Sequence, residues 1–186
     1  MTGLQVHAAT PERWPDVVAL AGQNGFYSGC WCTWWQTASK EWDGLGTRRR
    51  RERLRRSVAA GDVPGLLAYR DGEPVGWVRV GPREGHPRMQ RSPKLKPVDD
   101  APAWVVSCFV VRRDARRQGV AAALLDAAVR HARDHGADLV EGVPVDVRSP
   151  SARSADLFTG TIGMFESAGF TEVARRGGRP VVRREV

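Results

Sequence analysis

The chain has 186 residues, 41% of them hydrophobic and 27% charged, which suits one domain with a sizeable core and is short for two. No apolar run reaches the roughly 18 residues of a membrane span. The opening residues Met1 to Gln5 lack a basic segment ahead of an apolar one, so neither a membrane helix nor a signal peptide is expected. Three cysteines, an odd number, argue against a disulfide framework and for a reducing cytoplasm. The formal net charge of +8 and a pI near 10.4 would attract polyanions, whether nucleic acid or a phosphorylated nucleotide cofactor.

In chain order, Leu4, Val6 and Ala8 alternate with more polar neighbours and predict a first strand. Thr10-Pro11-Glu12 offers an N-cap, a first-turn proline and a first-turn acid for a helix carrying Trp14, Val17, Val18 and Ala21; Pro15 is an alternative start. Residues 24–36 crowd five aromatic rings and two cysteines into one stretch. A basic helix follows, with Thr47 as cap, Leu54 and Val58 as its apolar edge and Gly61 as its end; seven of the nine residues from Arg48 to Arg56 are arginine. Strands over 66–70 and 75–80 flank the tight-turn pair Asp71-Gly72. Residues 82–102 hold five prolines and little periodicity, which reads as a long functional or mobile loop. Trp104 to Val111, uncharged and rich in valine, predicts a central strand buried on both faces. An amphipathic helix spans Gly119 to His135, a strand Leu139 to Val143, a short helix Ile162 to Ala168, and a last hairpin turns at Gly177-Gly178. The pattern is one α/β (α+β) domain over residues 1–186 around a single sheet.

The segment Arg116-Arg117-Gln118-Gly119-Val120-Ala121 joins the strongest strand to the best amphipathic helix. The first amides of a helix lack intrahelical partners and its dipole favours negative charge, so a phosphate can rest there. Gly119 and the small Ala121 would let a ligand approach the backbone, and the two arginines add charge.

Cys108 to Leu125 resembles the acyl-CoA motif of the GNAT N-acetyltransferase superfamily: an aliphatic strand end, then Q/R-x-x-G-x-G/A opening a helix. Met164 to Phe170 resembles the superfamily's next helix with its terminal Gly-Phe pair, and the element order agrees across nearly the whole chain. The resemblance implies a central mixed sheet of about seven strands flanked by helices and splayed between 104–111 and 139–143. It implies acetyl-CoA as co-substrate, with the backbone of Phe109, Val110 and Val111 along the pantetheine arm. Arg116, Arg117, Gln118, Gly119, Val120, Ala121 and Ala122 would surround the pyrophosphate.

Acetyl transfer to an amine needs a proton acceptor, a hydrogen bond to the carbonyl oxygen and a tolerable leaving thiolate. Where many relatives carry a tyrosine acid, this chain has Phe165. Glu141 is the candidate base, with an ordinary salt bridge as the competing role; Ser107 and Cys108 are the polar residues of the central strand, Cys108 being a possible nucleophile. Tyr27, Trp31, Trp34 and Trp35 lie where the family builds its acceptor site and could hold a cationic amine, or simply complete a small core. Cys30 and Cys32 lack the further ligands a structural zinc site needs, so no metal is expected.

The reading is an N-acetyltransferase that acts on a primary amine, on a small molecule or a peptide, by direct transfer in a ternary complex. Alternatives are a catalytically weak acyl-CoA sensor, a protein N-terminal or lysine acetyltransferase and, ranked below these because the arginine run lacks interleaved aromatics, a nucleic-acid binder. No membrane partner is expected, and a monomer and a homodimer both fit.

Overall fold

The computed structural model describes residues 3–150 and 152–186; Met1 and Thr2, part of the segment read for a leader, lie outside them. Seven strands form one mixed sheet: β1 Gln5–Ala8, β2 Gly65–Arg70, β3 Glu73–Pro82, β4 Trp104–Val111, β5 Leu139–Gly142, β6 Thr171–Arg176 and β7 Arg179–Glu185. Their spatial order is β1-β2-β3-β4-β5-β7-β6, and every neighbouring pair is antiparallel except β4 and β5. The helices are α1 Trp14–Ala21, α2 Ser39–Trp42, α3 Thr47–Ala59, α4 Pro87–Gln90, α5 Val120–Asp134 and α6 Ile162–Ser167. The predicted order of strands and main helices is the observed one.

The hydrophobic pattern divides the sheet into two faces. Leu124, Leu125 and Ala128 of α5 and Phe165 of α6 cover one face with Val78, Val106, Phe109 and Val140. On the other face Val17 and Ala21 of α1 and Leu54 and Val58 of α3 close over Leu67 and Trp77. A third cluster on that side joins Trp35 to Met89, Leu95, Val105 and Val181. Valine-rich β4 is buried from Val105 to Phe109 because it lies at the centre with a layer on each side.

Asp71 and Gly72 both have positive φ, 52° and 82°, as the two-residue hairpin turn requires. Two capping expectations need correction. Gly46, not Thr47, is the N-cap of α3, and Thr47 is its first residue with no side-chain cap bond. Thr10 precedes a short 3₁₀ turn, Pro11–Arg13, and α1 itself begins at Trp14 with Pro15 in the first turn, where its missing N–H costs nothing. The proline-rich stretch 82–102 is also no open loop. It folds into a 3₁₀ turn and α4, and buries Arg83, His86, Met89 and Leu95 against the sheet.

Charge holds this stretch in place. Glu141 of β5 is fully buried and receives Arg83 on Oε2 and Arg183 Nε on Oε1 at 2.7 Å; Arg183 also forks onto Asp99 at 2.6 and 2.8 Å. Arg83 in addition donates to the carbonyl of Leu95. The network ties the 82–102 segment to β5 and β7 by hydrogen-bonded charges that would be costly to bury alone.

Close packing limits substitution where β5 meets α6. A Cβ on Gly142 would lie 2.2 Å from Cε1 of the buried Phe165, whereas one on Gly81 would meet nothing within 4 Å. Gly142→Ala is therefore expected to lower stability by about 1–3 kcal/mol and Gly81→Ala to leave it within about 1 kcal/mol, as read from urea unfolding midpoints.

Candidate functional site

Strand β4 parts from β5 halfway along. Trp104, Val105 and Val106 pair with Val140, Glu141 and Gly142, and from Ser107 onward β4 has no strand partner on that side among the described residues. A β-bulge accompanies the parting: Arg79 of β3 opposes Cys108 while Val80 opposes Val106, so Ser107 is the extra residue. The bulge breaks the alternation of side chains. Val106 and Phe109 face the α5 layer, while Ser107 reaches His86 and Cys108 joins the α1/α3 cluster. Two consecutive polar residues thus point to the side opposite α5.

His86 fixes Ser107. Its Nδ1 lies 3.0 Å from the carbonyl of Pro82, which can only accept, so Nδ1 carries the hydrogen. Nε2, 3.2 Å from Ser107 Oγ, must then accept the serine hydrogen. Burial, followed by the charge of Arg79, pushes the His86 pKa down to about 3, so the ring is neutral near pH 7. The carbonyl of Ser107 accepts Trp35 Nε1 at 3.0 Å. The 3₁₀ turn Ser154–Thr159 packs against β4 here, with the Phe158 ring 6.0 Å from that of Trp35.

Downstream, β4 runs through a 3₁₀ turn, Arg113–Ala115, into the start of α5. Arg117 and Gly119 have positive φ, 60° and 78°, and Gly119 is the left-handed N-cap of α5. Its glycine is required by conformation, since a Cβ there would meet nothing within 4 Å. The first helical bond is Ala123 N–H to Gly119 O at 3.0 Å, so the amides of Val120, Ala121 and Ala122 precede the helix ladder. Gln118 braces the turn by donating to the Asp114 carbonyl at 2.7 Å and accepting from Arg70. Arg116 folds back to the Val111 carbonyl at 3.1 Å, so it shapes the turn. Open amides, dipole and clear space fit a diphosphate, and the part of β4 that β5 leaves unpaired, Phe109 to Val111, leads directly to them.

The remaining sequence candidates fall in different places. Glu141 has both oxygens on guanidinium groups and is fully buried, which is the ordinary salt-bridge role. Cys108 is buried, and its thiol is pushed well up by the hydrogen bond with Cys32 and by burial, which disfavours a nucleophile. Burial opposes ionisation of Cys32, yet Cys108, Arg79 and Trp77 Nε1–H, 3.2 Å from its sulfur, hold its pKa below the usual thiol value. Trp31 and Trp35 are buried in two different clusters, because the stretch 22–34 is a chain of tight turns with positive φ at Phe26, Ser28, Trp31 and Cys32. Trp34 is partly exposed beneath Arg88, 3.7 Å from its ring centroid, and Tyr27 is 70% exposed. Phe165 is a core residue between Phe109 and Phe170, with ring centroids 6.2 and 4.9 Å away. Tyr69 donates to Asp16 at 2.6 Å on α1. The residues the sequence did not suggest are His86 and Phe158; both lie in stretches without periodicity and carry no local signal of their placement. Among the described residues no group of three or more His, Cys, Asp or Glu could hold a metal ion.

The depressed His86 pKa has a stability consequence. The unfolded histidine takes up a proton near pH 6.5 and the folded one refuses it until about pH 3, so stability should fall as pH drops between those values. The slope from this residue is at most about 1.4 kcal/mol per pH unit. Denaturant titrations from pH 6.5 to 4.5 should show a shallower decline for His86→Gln than for the unsubstituted protein. His131, lowered by burial and by His135, acts with the same sign in both proteins.

Comparison with known proteins agrees with this geometry. The family model described as the acetyltransferase (GNAT) family matches residues 29–170. Among solved structures, the ribosomal-protein-alanine N-acetyltransferase from Brucella melitensis aligns over 98% of this chain and 99% of its own, with 18% identity and a TM-score of 0.56. An N-acetyltransferase from Staphylococcus aureus Mu50 aligns over 99% of each chain, with 14% identity and a TM-score of 0.57. The PaiA N-acetyltransferase from Thermoplasma acidophilum, solved in complex with coenzyme A, aligns over 100% of each, with 10% identity and a TM-score of 0.55. At these identities the likeness is one of fold. No curated protein sequence matches significantly. With the family model covering most of its length, and the fold and the strand–turn–helix cradle in agreement, the chain belongs to the GNAT acetyltransferase family.

Proposed function

We propose that the protein moves an acetyl group from acetyl-CoA to a primary amine, on a small molecule, by direct transfer in a ternary complex in the cytoplasm. The observation that carries this reading is the continuous path from the open edge of β4 to the amides at the start of α5. Family membership supports acetyl transfer, and a structural neighbour that binds coenzyme A supports the cofactor class.

Bound acetyl-CoA would supply the activated acyl carbon. The backbone of Phe109, Val110 and Val111 offers the pantetheine amides a strand edge, and Val120, Ala121 and Ala122 offer the diphosphate free N–H groups. Ser107 is buried and gives its hydrogen to His86 while its carbonyl accepts Trp35 Nε1, so it acts by positioning β4 where the strand leaves β5. His86 acts as a positioning residue; a ring held neutral down to about pH 3 does not store the proton, so as the C–N bond forms and the C–S bond breaks the amine's proton passes to solvent water. With Phe165 in the acid's place the leaving thiolate takes its proton from solvent, which an ordinary thiol pKa of about 8.5 permits. The absence of a phenol at Phe165 also favours a second reading, cofactor binding without useful turnover.

Released thiol measured against a panel of amines separates the two. Release that rises with amine concentration supports transfer; slow release indifferent to every amine supports the sensor reading. If transfer occurs, Ser107→Ala should lower kcat about tenfold to a hundredfold with little change in the KM for acetyl-CoA. Glu141→Gln should cost about 3–5 kcal/mol of stability, because Arg83 and Arg183 lose their counter-ion, yet leave the shape of the pH–rate profile unchanged.

A further inference from the structure

The arginines of α3 do not share one fate. Arg50 stacks over Trp42, 3.6 Å from the ring centroid, and Arg53 bonds Glu41 and Thr37; both are used to hold the loop that precedes the helix. Arg48, Arg49, Arg51 and Arg55 are exposed and line one side of a groove of about 490 Å³. Their one acidic neighbour there, Glu52, lies 4.0 Å from Arg55 and 3.9 Å from Arg56, outside hydrogen-bond range. Such exposed contacts neutralise little charge.

The other wall of the groove is Trp14, from the first turn of α1. Its ring stacks on buried Trp31, with centroids 6.2 Å apart and planes 27° from parallel, so the indole is held rigid by the core. Arg51 lies 5.4 Å from the Trp31 ring centroid. In sequence the arginine run has no interleaved aromatic residue; in space an indole from a distant element completes it. A fixed flat ring beside four guanidinium groups matches a ligand that carries planar rings and anionic groups in alternation. An acidic peptide would use the charges and leave the indole without a role.

We infer that the groove between α1 and α3 binds single-stranded nucleic acid, with a base on Trp14 and backbone phosphates on Arg48, Arg49, Arg51 and Arg55. The site is separate from the cofactor cradle, because α1 and α3 cover one face of the sheet and α5 covers the other. A duplex fits less well, since its bases are stacked inside and only the charges would engage.

The test is fluorescence anisotropy with labelled mixed-sequence 12-nucleotide RNA, the same sequence as DNA, the RNA duplex and an oligoglutamate peptide of equal charge. The inference expects a single strand, RNA or DNA, to bind at least tenfold tighter than duplex or peptide. Affinity should fall with a slope of about −3 in log K against log salt, for four phosphate contacts at roughly 0.7 each. Replacing Arg48, Arg49 and Arg55 with alanine should weaken binding at least tenfold. Replacing the exposed Arg91, Arg130 and Arg133, which lie elsewhere, should change it less than threefold. Trp14→Leu, with folding checked by circular dichroism, should weaken single-strand binding and leave weak duplex binding unchanged; if that variant does not fold, the arginine sets decide. No binding at low salt, equal affinity for duplex or peptide, or equal losses in the two arginine sets would overturn the inference. Saturating coenzyme A that displaces the strand would also overturn it, by placing the ligand in the cradle.

Discussion

Strand β4 has neighbours on both sides and stays bonded to only one of them along its whole length. Its ladder with β3 is continuous apart from one extra residue, Ser107, and its ladder with β5 stops at Val106. Backbone groups in a sheet interior must find partners, and an unpaired central edge is therefore a place where something else belongs. The rest of the molecule is arranged around that opening. The bulge turns Ser107 and Cys108 to the face away from α5, His86 and Trp35 secure Ser107 from two directions, and the chain leaves β4 into a turn that only a left-handed residue at Gly119 can close.

A central strand with one open edge is a weak point, and the fold offsets it with charge and with bulk. Arg83, Glu141, Arg183 and Asp99 bind the 82–102 segment to β5 and β7 just where the β4–β5 ladder ends. On the opposite face Phe165 fills the space over Gly142 and meets Phe109 and Phe170 edge-on. Phe165, at the position where many relatives carry a tyrosine, is thus built into the core here, and the only hydroxyl of β4 lies on the other face.

Periodicity made much of this legible in the sequence. The uniform apolar run of β4, the 3.6-residue pattern of α5 and the Arg-x-x-Gly-x-Ala turn between them located the cradle, because each depends on neighbours a few residues apart. The bulge at Ser107 had no glycine or proline to mark it. His86 and Arg83 lie in a stretch whose order comes from contacts with β4, β5 and β7 rather than from its own residues, so it read as a loop. The tryptophan stretch read as an acceptor site or a core, and its tight turns send Trp31 and Trp35 inward. Glu141 looked like a candidate base because its topology is right; the two arginines that claim it come from 58 and 42 residues away in the chain.

The account stands on the turn at Gly119, and calorimetric titration with acetyl-CoA of the unsubstituted protein and of Gly119→Trp probes it most directly. Gly119 is exposed with open space around its Cβ position, so a tryptophan there would occupy the approach to the α5 amides and strain the left-handed turn that presents them, while leaving the core untouched. The account predicts saturable binding at one site, abolished in a variant that unfolds with the same cooperativity. No heat of binding to the unsubstituted protein, or equal binding to both, would contradict it.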